Sequence, residues 1–173
     1  RHVSYKGIDV AIRSIQNTDH QLVIVGDGPL LDRHKQLAID TGVAKNVRFV
    51  CNASDQEVVG LLQNSIALVS ASNAANEAFA IVQLEAMRLG KPIVNTLLRS
   101  AAPWVARHNQ EAITVIPNDT VSLCEAMSTL AKDSETAHRL GEAGLRRYHD
   151  LFSAEKFAEK ISDLYHRLIE TER

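Results

Sequence analysis

Cysteine is scarce in this chain: Cys51 and Cys124 are the only two in 173 residues, each in an otherwise apolar stretch and without paired spacing. That excludes a disulfide framework and a cysteine-based zinc site, and it fits a reducing compartment. Proline is nearly as sparse, at 4, and the 45% hydrophobic content is too high for a disordered segment. One sizeable core, and hence one domain, is expected at this length. Basic charge is not in excess either. A formal net charge of -2 and a pI near 6.4 leave no electrostatic footprint for nucleic acid. No apolar run approaches the roughly 20 residues that cross a bilayer, and the first residues lack the apolar core of a signal peptide. The expectation is a soluble, cytoplasmic protein.

What is present is alternation. Short apolar, β-branched runs recur at residues 22–25, 47–51, 66–69, 92–94 and 113–116. Between them, segments with helical spacing carry Ile8, Ala11, Ile12 and Ile15, then residues 31–39, 58–62 and 81–89. Strands apolar on both faces and separated by helices mark a parallel sheet covered on both sides through right-handed crossovers. The fold class is therefore α/β: a doubly wound, Rossmann-like, mostly parallel sheet with helices on both faces and a helical C-terminal tail. Boundary residues agree, since Ser54 and Glu57 form a capping box, Gly42 and Gly90 stand where helices end, and Pro92 blocks further helix. From Thr120 onward three helical stretches follow, with breaks near Asp133 and Ser153. In the last, Phe157, Ile161, Leu164, Tyr165 and Leu168 form a stripe wide enough to pack on the domain itself, which leaves residues 169–173 to meet another part of a longer protein. No repeat, low-complexity tract or linker interrupts the chain. A doubly wound domain opens on a strand, yet residues 1–7 lead straight into the helix from Ile8. The expectation is that a first strand is missing and that these residues were cut from something longer.

Ligands of open α/β sheets bind at the carboxyl ends of the strands. The strand at 22–25 runs into Gly26-Asp27-Gly28-Pro29, but Leu31 stands where a dinucleotide fingerprint needs its third glycine. A tight strand-to-helix turn accounts for the two glycines equally well. Glu77 and Glu85 are more informative: Glu77 follows the polar stretch 72–76 directly after a strand, and Glu85 lies in an otherwise apolar helix. At 100° per residue the two are about 80° apart if both are helical, so both can face one crevice. The helix start between them, residues 78–81, offers unbonded N–H groups and the positive end of a dipole. A phosphate site flanked by carboxylates that take sugar hydroxyls is what a nucleotide-sugar diphosphate requires. On spacing alone, Glu77 as a helix-start charge and Glu85 as a solvated residue fit as well. Arg1 and Lys6 stand in the loop that would follow the missing strand, placed to clamp a diphosphate or simply to be solvated. The seven histidines, His2, His20, His34, His108, His138, His149 and His166, show no H-x-H or H-x-x-x-H spacing and read as surface residues. Trp104 could stack on a ligand but reads first as packing at a helix start. No Ser-His-Asp or Cys-His arrangement and no Asp-x-Asp motif stands out, so no metal is expected.

Taken in order, these motifs resemble the C-terminal, donor-binding domain of retaining glycosyltransferases with the GT-B fold, the group 1 family (family 4). The resemblance covers nearly the whole chain. Its carriers are Arg1-His2-Val3-Ser4-Tyr5-Lys6-Gly7, Val25-Gly26-Asp27-Gly28-Pro29, Asn46-Val47-Arg48-Phe49 and the run 77–92, which holds Glu-x7-Glu, Glu-Ala-Met and Gly-Lys-Pro. The resemblance implies that Arg1 and Lys6 contact the donor diphosphate, that Glu77 holds hydroxyls of the transferred sugar in support of catalysis, and that Glu85 bonds the ribose. It also implies that the backbone of Phe79, Ala80 and Ile81 meets phosphate and sugar, that Gly26 belongs to the donor crevice, and that Cys51, Asn52 and Ala53 frame the nucleobase. The donor would be a nucleoside-diphosphate sugar, used without a metal. A glycan or lipid-linked acceptor would sit on an absent N-terminal domain, with the full enzyme in the cytoplasm or peripherally at the inner face of the membrane. The isolated domain would be inactive.

The sequence departs from this family where Ala78, Ala80, Cys51 and Ala112 replace the more usual glycine, and an added Cβ narrows the approach of a ligand to backbone. Residues 83–87, Asn95-Thr96 and Pro103-Trp104-Val105 look most like the branch that builds bacterial polysaccharides from mannose- or rhamnose-type donors. A non-catalytic nucleotide-binding module and a nucleotide-sugar epimerase share the architecture. Glu-x7-Glu with Gly-Lys-Pro favours the transferase over the epimerase, and the missing strand favours a truncated enzyme over a self-sufficient module.

Overall fold

The computed structural model describes residues 1–171, with side chains described to residue 169. Its strands are β1 (Leu22–Val25), β2 (Val47–Val50), β3 (Leu68–Ser70), β4 (Ile93–Thr96) and β5 (Ala112–Val115). The helices are α1 (Ile8–Ser14), α2 (Leu31–Asp40), α3 (Asp55–Gln63), α4 (Ile81–Arg88), α5 (Ala102–Val105), α6 (Thr120–Lys132), α7 (Ser134–Arg147) and α8 (Ala154–Thr171), with a π-helical turn at Tyr148–Phe152. All strand pairings are parallel, as expected. They form two ladders, β1-β2 and β3-β4-β5, where the apolar pattern alone suggests one continuous sheet.

β4 shows that both faces are covered. Ile93 and Val94 are both fully buried. Ile93 packs with Leu62 of α3 and with Ala86 and Met87 of α4, whereas Val94 packs with Val10 and Ala11 of α1 and with Leu123 and Ala126 of α6. Side chains alternate across a strand, so these two clusters lie on opposite faces and the domain is doubly wound. A third cluster joins Ile12 and Ile15 of α1, Ala38 of α2 and Ile24 of β1. Helix α1 therefore contributes to the cores of both ladders and fastens them together. Each fully buried isoleucine there contributes about 1.5–3 kcal/mol.

Between β4 and its neighbours runs a buried polar network. Asn95 Nδ2 donates to Gln83 Oε1 at 2.9 Å and to Ala106 O at 2.8 Å, Thr114 Oγ1 donates to Asn95 Oδ1 at 2.7 Å, and Gln83 Nε2 donates to Ala102 O at 3.1 Å. Each bond crosses between elements, so the network fixes α4 and α5 against β4 and β5. The breaks near Asp133 and Ser153 are as expected, and Asp133 caps α7 by accepting from the Thr136 amide.

One packing expectation is corrected. Along α8, Phe157 is 67% exposed, Leu164 51% and Leu168 55%, so the stripe does not pack on the domain. The helix follows the π-helical turn, and none of its described residues belongs to the three core clusters. Of the tail at 169–173, residues beyond 169 lie outside the described side chains.

Asn95→Ala is expected to cost about 2–3 kcal/mol, because it leaves Gln83 Oε1 and the Ala106 carbonyl without a donor in the interior and the Thr114 hydroxyl without its acceptor. Urea unfolding monitored by circular dichroism checks this, with an unchanged midpoint as the contrary result.

Candidate functional site

The strands of each ladder are parallel, so their carboxyl ends lie together, and residues 1–7 run from the end of β1 to the end of β3. The His2 amide donates to Asp27 O at 2.8 Å and the Leu30 amide to His2 O at 3.1 Å, which ties the segment to the turn after β1. The Asn73 amide donates to Tyr5 O at 2.8 Å, which ties it to the loop after β3. Two glycines permit these approaches. A Cβ on Gly7, at φ 61°, would lie 2.0 Å from Ala71 O, and one on Gly28, at φ 152°, would lie 2.7 Å from His2 O. The Gly26 amide is committed to Val50 O at 2.9 Å, beside the Arg1 backbone.

The loop between β3 and α4 carries Glu77. Lys6 Nζ forms an ion pair with Glu77 Oε2, and Ser72 Oγ donates to the same oxygen at 2.8 Å. Thr96 Oγ1 in turn donates to the Ser72 carbonyl. Glu77 and Ser72 are 7% and 2% exposed, so these bonds operate in a reduced dielectric. Oε1 has no protein partner among the described residues and is not sealed from solvent. Tyr5 stands between the two cations: its hydroxyl accepts from Arg1 Nη2 at 3.3 Å, and its ring centre is 5.6 Å from Lys6 Nζ. Arg1, Lys6 and Glu77 thus form one cluster.

Helix α4 begins only at Ile81, so Glu77 precedes it and the helical angle between Glu77 and Glu85 does not apply. Glu85 is exposed on α4. Ala80 is the N-cap, at φ 59° and ψ 63°, with no side-chain cap. This left-handed conformation costs an alanine about 1 kcal/mol and accounts for glycine as the more usual residue there. The amides of Phe79, Ala80, Ile81 and Val82 donate to no acceptor among the described residues. Such a helix start favours an anion.

Around this centre, Cys51 and Asn52 are exposed after β2, Ala53 is half-buried, and Asn52 takes φ 53°. Phe79 packs edge-on to Phe152 with centroids 6.2 Å apart, and Phe152 packs on Trp104 at 5.6 Å. Trp104 does pack at the start of a helix, as expected, but half of it remains exposed. Ala112 is buried at the amino end of β5, away from the carboxyl ends, so its extra Cβ does not bear on the site. The surface assignment fails for two histidines: His2 and His34 are buried, with their Nδ1 atoms 2.9 Å apart. Neutral imidazoles can be buried when one ring nitrogen satisfies another. Sequence reasoning also missed Tyr5, Ser72 and Thr96. Ser72 lies in the polar stretch before Glu77, but nothing in that stretch separates it from Asn73 or Asn76. Among the described residues no three His, Cys, Asp or Glu side chains gather as a metal would require.

Comparison with known proteins adds the family. The model for glycosyl transferases group 1 matches residues 1–147. D-rhamnosyltransferase WbpZ of Pseudomonas aeruginosa is 33% identical over 150 residues, covering 87% of this chain and 39% of that protein. The O-antigen chain mannosyltransferase C of Escherichia coli is 29% identical over 167 residues, covering 96% of this chain and 45% of that protein. The chain therefore spans less than half the length of these relatives. Anabaena Alr3699/HepE, solved in complex with UDP, superposes with a TM-score of 0.86 at 19% identity, covering 96% of this chain and 47% of that one. That likeness shows a shared Rossmann-like fold. The match along most of its length places this chain in the group 1 glycosyltransferase family.

Proposed function

We propose that the chain is the donor-binding half of a retaining glycosyltransferase, of family 4, that moves a sugar from a nucleoside-diphosphate sugar to a glycan or lipid-linked acceptor in polysaccharide biosynthesis. The observation that carries this reading is the Lys6–Glu77–Ser72 cluster set beside the unbonded amides of residues 79–82. The names of the two relatives, a rhamnosyltransferase and an O-antigen mannosyltransferase, support a mannose- or rhamnose-type donor. HepE, solved in complex with UDP, supports a nucleotide as part of the donor.

In this reading the diphosphate meets the amides of 79–82 together with Arg1 and Lys6. Glu77 Oε1 accepts a hydroxyl of the sugar, Glu85 bonds the ribose, and the loop of Cys51, Asn52 and Ala53 frames the base, with Gly26 beneath. The bond from the anomeric carbon to the phosphate oxygen breaks as an acceptor oxygen bonds that carbon on the same face, and the acceptor proton passes to the departing phosphate. The charge that develops on the leaving group is stabilised by the two cations and the helix start, so the reading has no metal in it. Attack requires an acceptor held on a second domain that closes and excludes water. The enzyme would act in the cytoplasm, or at the inner face of the membrane where its acceptor is lipid-linked. Among the described residues no helix is long and apolar enough to cross a membrane.

Calorimetry with GDP, UDP, ADP, CDP and dTDP is expected to show binding of at least one, and Lys6→Ala to weaken it by about 2 kcal/mol, near thirtyfold. Retained affinity in that variant removes Lys6 from the site. The carboxylates separate in a comparison of a nucleotide with its sugar conjugate: Glu77→Gln should erase the increment due to the sugar, and Glu85→Gln should weaken both ligands alike. The opposite pattern reverses the two assignments. A radiolabelled transfer assay is expected to show no turnover by the 173-residue chain until the other half of the enzyme is supplied. Multiple turnovers by the chain alone would refute the division of labour.

A further inference from the structure

The cationic segment is fastened to the domain by a contact that the donor site does not use. His2, between Arg1 and the rest of the segment, sends its ring beneath the sheet edge toward His34 of α2, and Phe49 of β2 closes over it with ring centres 6.0 Å apart. The rings meet Nδ1 to Nδ1 at 2.9 Å, and both residues are buried, His2 completely. His2 Nε2 is the one buried side-chain polar atom without a partner among the described residues. We infer that His34 is a positioning residue which holds Arg1 and Lys6 in place through a single-proton bond to His2, so that donor affinity falls as this pair is protonated. The inference rests on the reading of Arg1 and Lys6 as donor contacts.

Proton counting explains why the bond is a latch. A bond between two Nδ1 atoms needs one N–H and one lone pair. With both rings neutral, His2 donates from Nδ1, His34 accepts at Nδ1, and His2 Nε2 carries no proton. Adding a proton changes this whichever ring receives it. If His34 becomes the imidazolium, His2 must accept at Nδ1 and carry its proton at Nε2; if His2 becomes the imidazolium, Nε2 is protonated outright. Both outcomes bury an N–H at Nε2, which has no hydrogen-bond partner among the described residues, and the Gly26 backbone nearby offsets only a small part of that cost. The proton therefore enters most readily when His2 leaves its pocket and takes Arg1 with it.

Burial sets the sign over neighbours of mixed charge. Burial, the largest influence, lowers both pKa values below that of an ordinary histidine. Facing His2 are Lys35 of α2, which opposes a charged ring, and Asp27 after β1 and the Gly26 backbone, which favour one. Facing His34 are Asp9 of α1, which favours charge, and Arg33 of α2, which opposes it. A histidine with a depressed folded pKa contributes fully above its unfolded value of about 6.5, and that contribution shrinks as the pH falls below it.

Two measurements on the 173-residue chain test the latch. Ring-nitrogen NMR should show His2 and His34 neutral at pH 7, one protonated at Nδ1, titrating together below the ordinary histidine value of about 6.5 while the amide signals of residues 1–7 move. Two rings that titrate as ordinary, independent histidines would overturn the inference. Calorimetry with GDP and UDP at pH 7.5 and 5.5 should show wild type losing roughly tenfold more affinity than His2→Leu/His34→Leu, the ratio that one unit of coupled protonation gives. The double variant also cancels the titration of the nucleotide itself. At pH 7.5, His34→Leu alone should bind more weakly than the double variant, because it leaves His2 buried without a partner. Equal pH dependence in wild type and double variant overturns the latch. If neither nucleotide binds wild type, the functional reading loses its support from these two ligands, and the ring titration decides the latch by itself.

Discussion

A carboxylate cannot be buried without partners, and much of the geometry at the strand ends follows from that constraint on Glu77. Its Oε2 takes Lys6 and Ser72. Lys6 can reach it only if residues 1–7 cross from the turn after β1 to the loop after β3, and that crossing is possible only because Gly7 and Gly28 have no Cβ where backbone passes. Ser72 can reach it only if the loop after β3 is pinned, which Thr96 of β4 does through the Ser72 carbonyl. One ion pair thus links the beginning of the chain to two separate strands. Removing either partner leaves a buried charge uncompensated, which is costlier than the pair itself is stabilising.

The same arrangement leaves the site partly unsatisfied where a ligand would complete it. Ala80 is held in a left-handed conformation, and the four amides from Phe79 to Val82 have no acceptor among the described residues. Strain and unbonded donors of this kind persist only where the surrounding fold fixes them. Here Ala78 O accepts from the Ala101 amide at 2.9 Å, and the Asn95–Gln83 network secures the body of α4. The rigid part of the domain therefore presents the polar groups, and the cationic segment supplies countercharge from a separate anchor.

How much of this was legible in the sequence depends on the range of the interaction. Strands buried on both faces write continuous apolar runs, so β1 to β5 and the parallel class were readable, and the Ser54–Glu57 box marks α3. The division into two ladders was not, because backbone pairing leaves no trace in side-chain pattern. Helix α5 and the π-helical turn are too short to show a period. The stripe on α8 revealed an apolar face but not what would cover it. At the site, Glu77, Lys6 and the helix start were named from motifs, yet the direct Lys6–Glu77 pair spans 71 residues and the His2–His34 pair spans 32, distances that no local pattern encodes. Both histidines were misread for that reason.

The central claim is that the start of α4, with Lys6 and Glu77, receives the phosphates of a nucleotide. Backbone amide NMR of the chain during titration with the tightest-binding nucleoside diphosphate addresses it directly. The expected result is that the amides of residues 79–82 shift most, with residues 1–7 and 51–53 following. Unperturbed amides at 79–82, with the shifts gathered instead in the groove between α1 and α2 near Arg13 and Arg33 or beside Arg107 and Arg139, would contradict it.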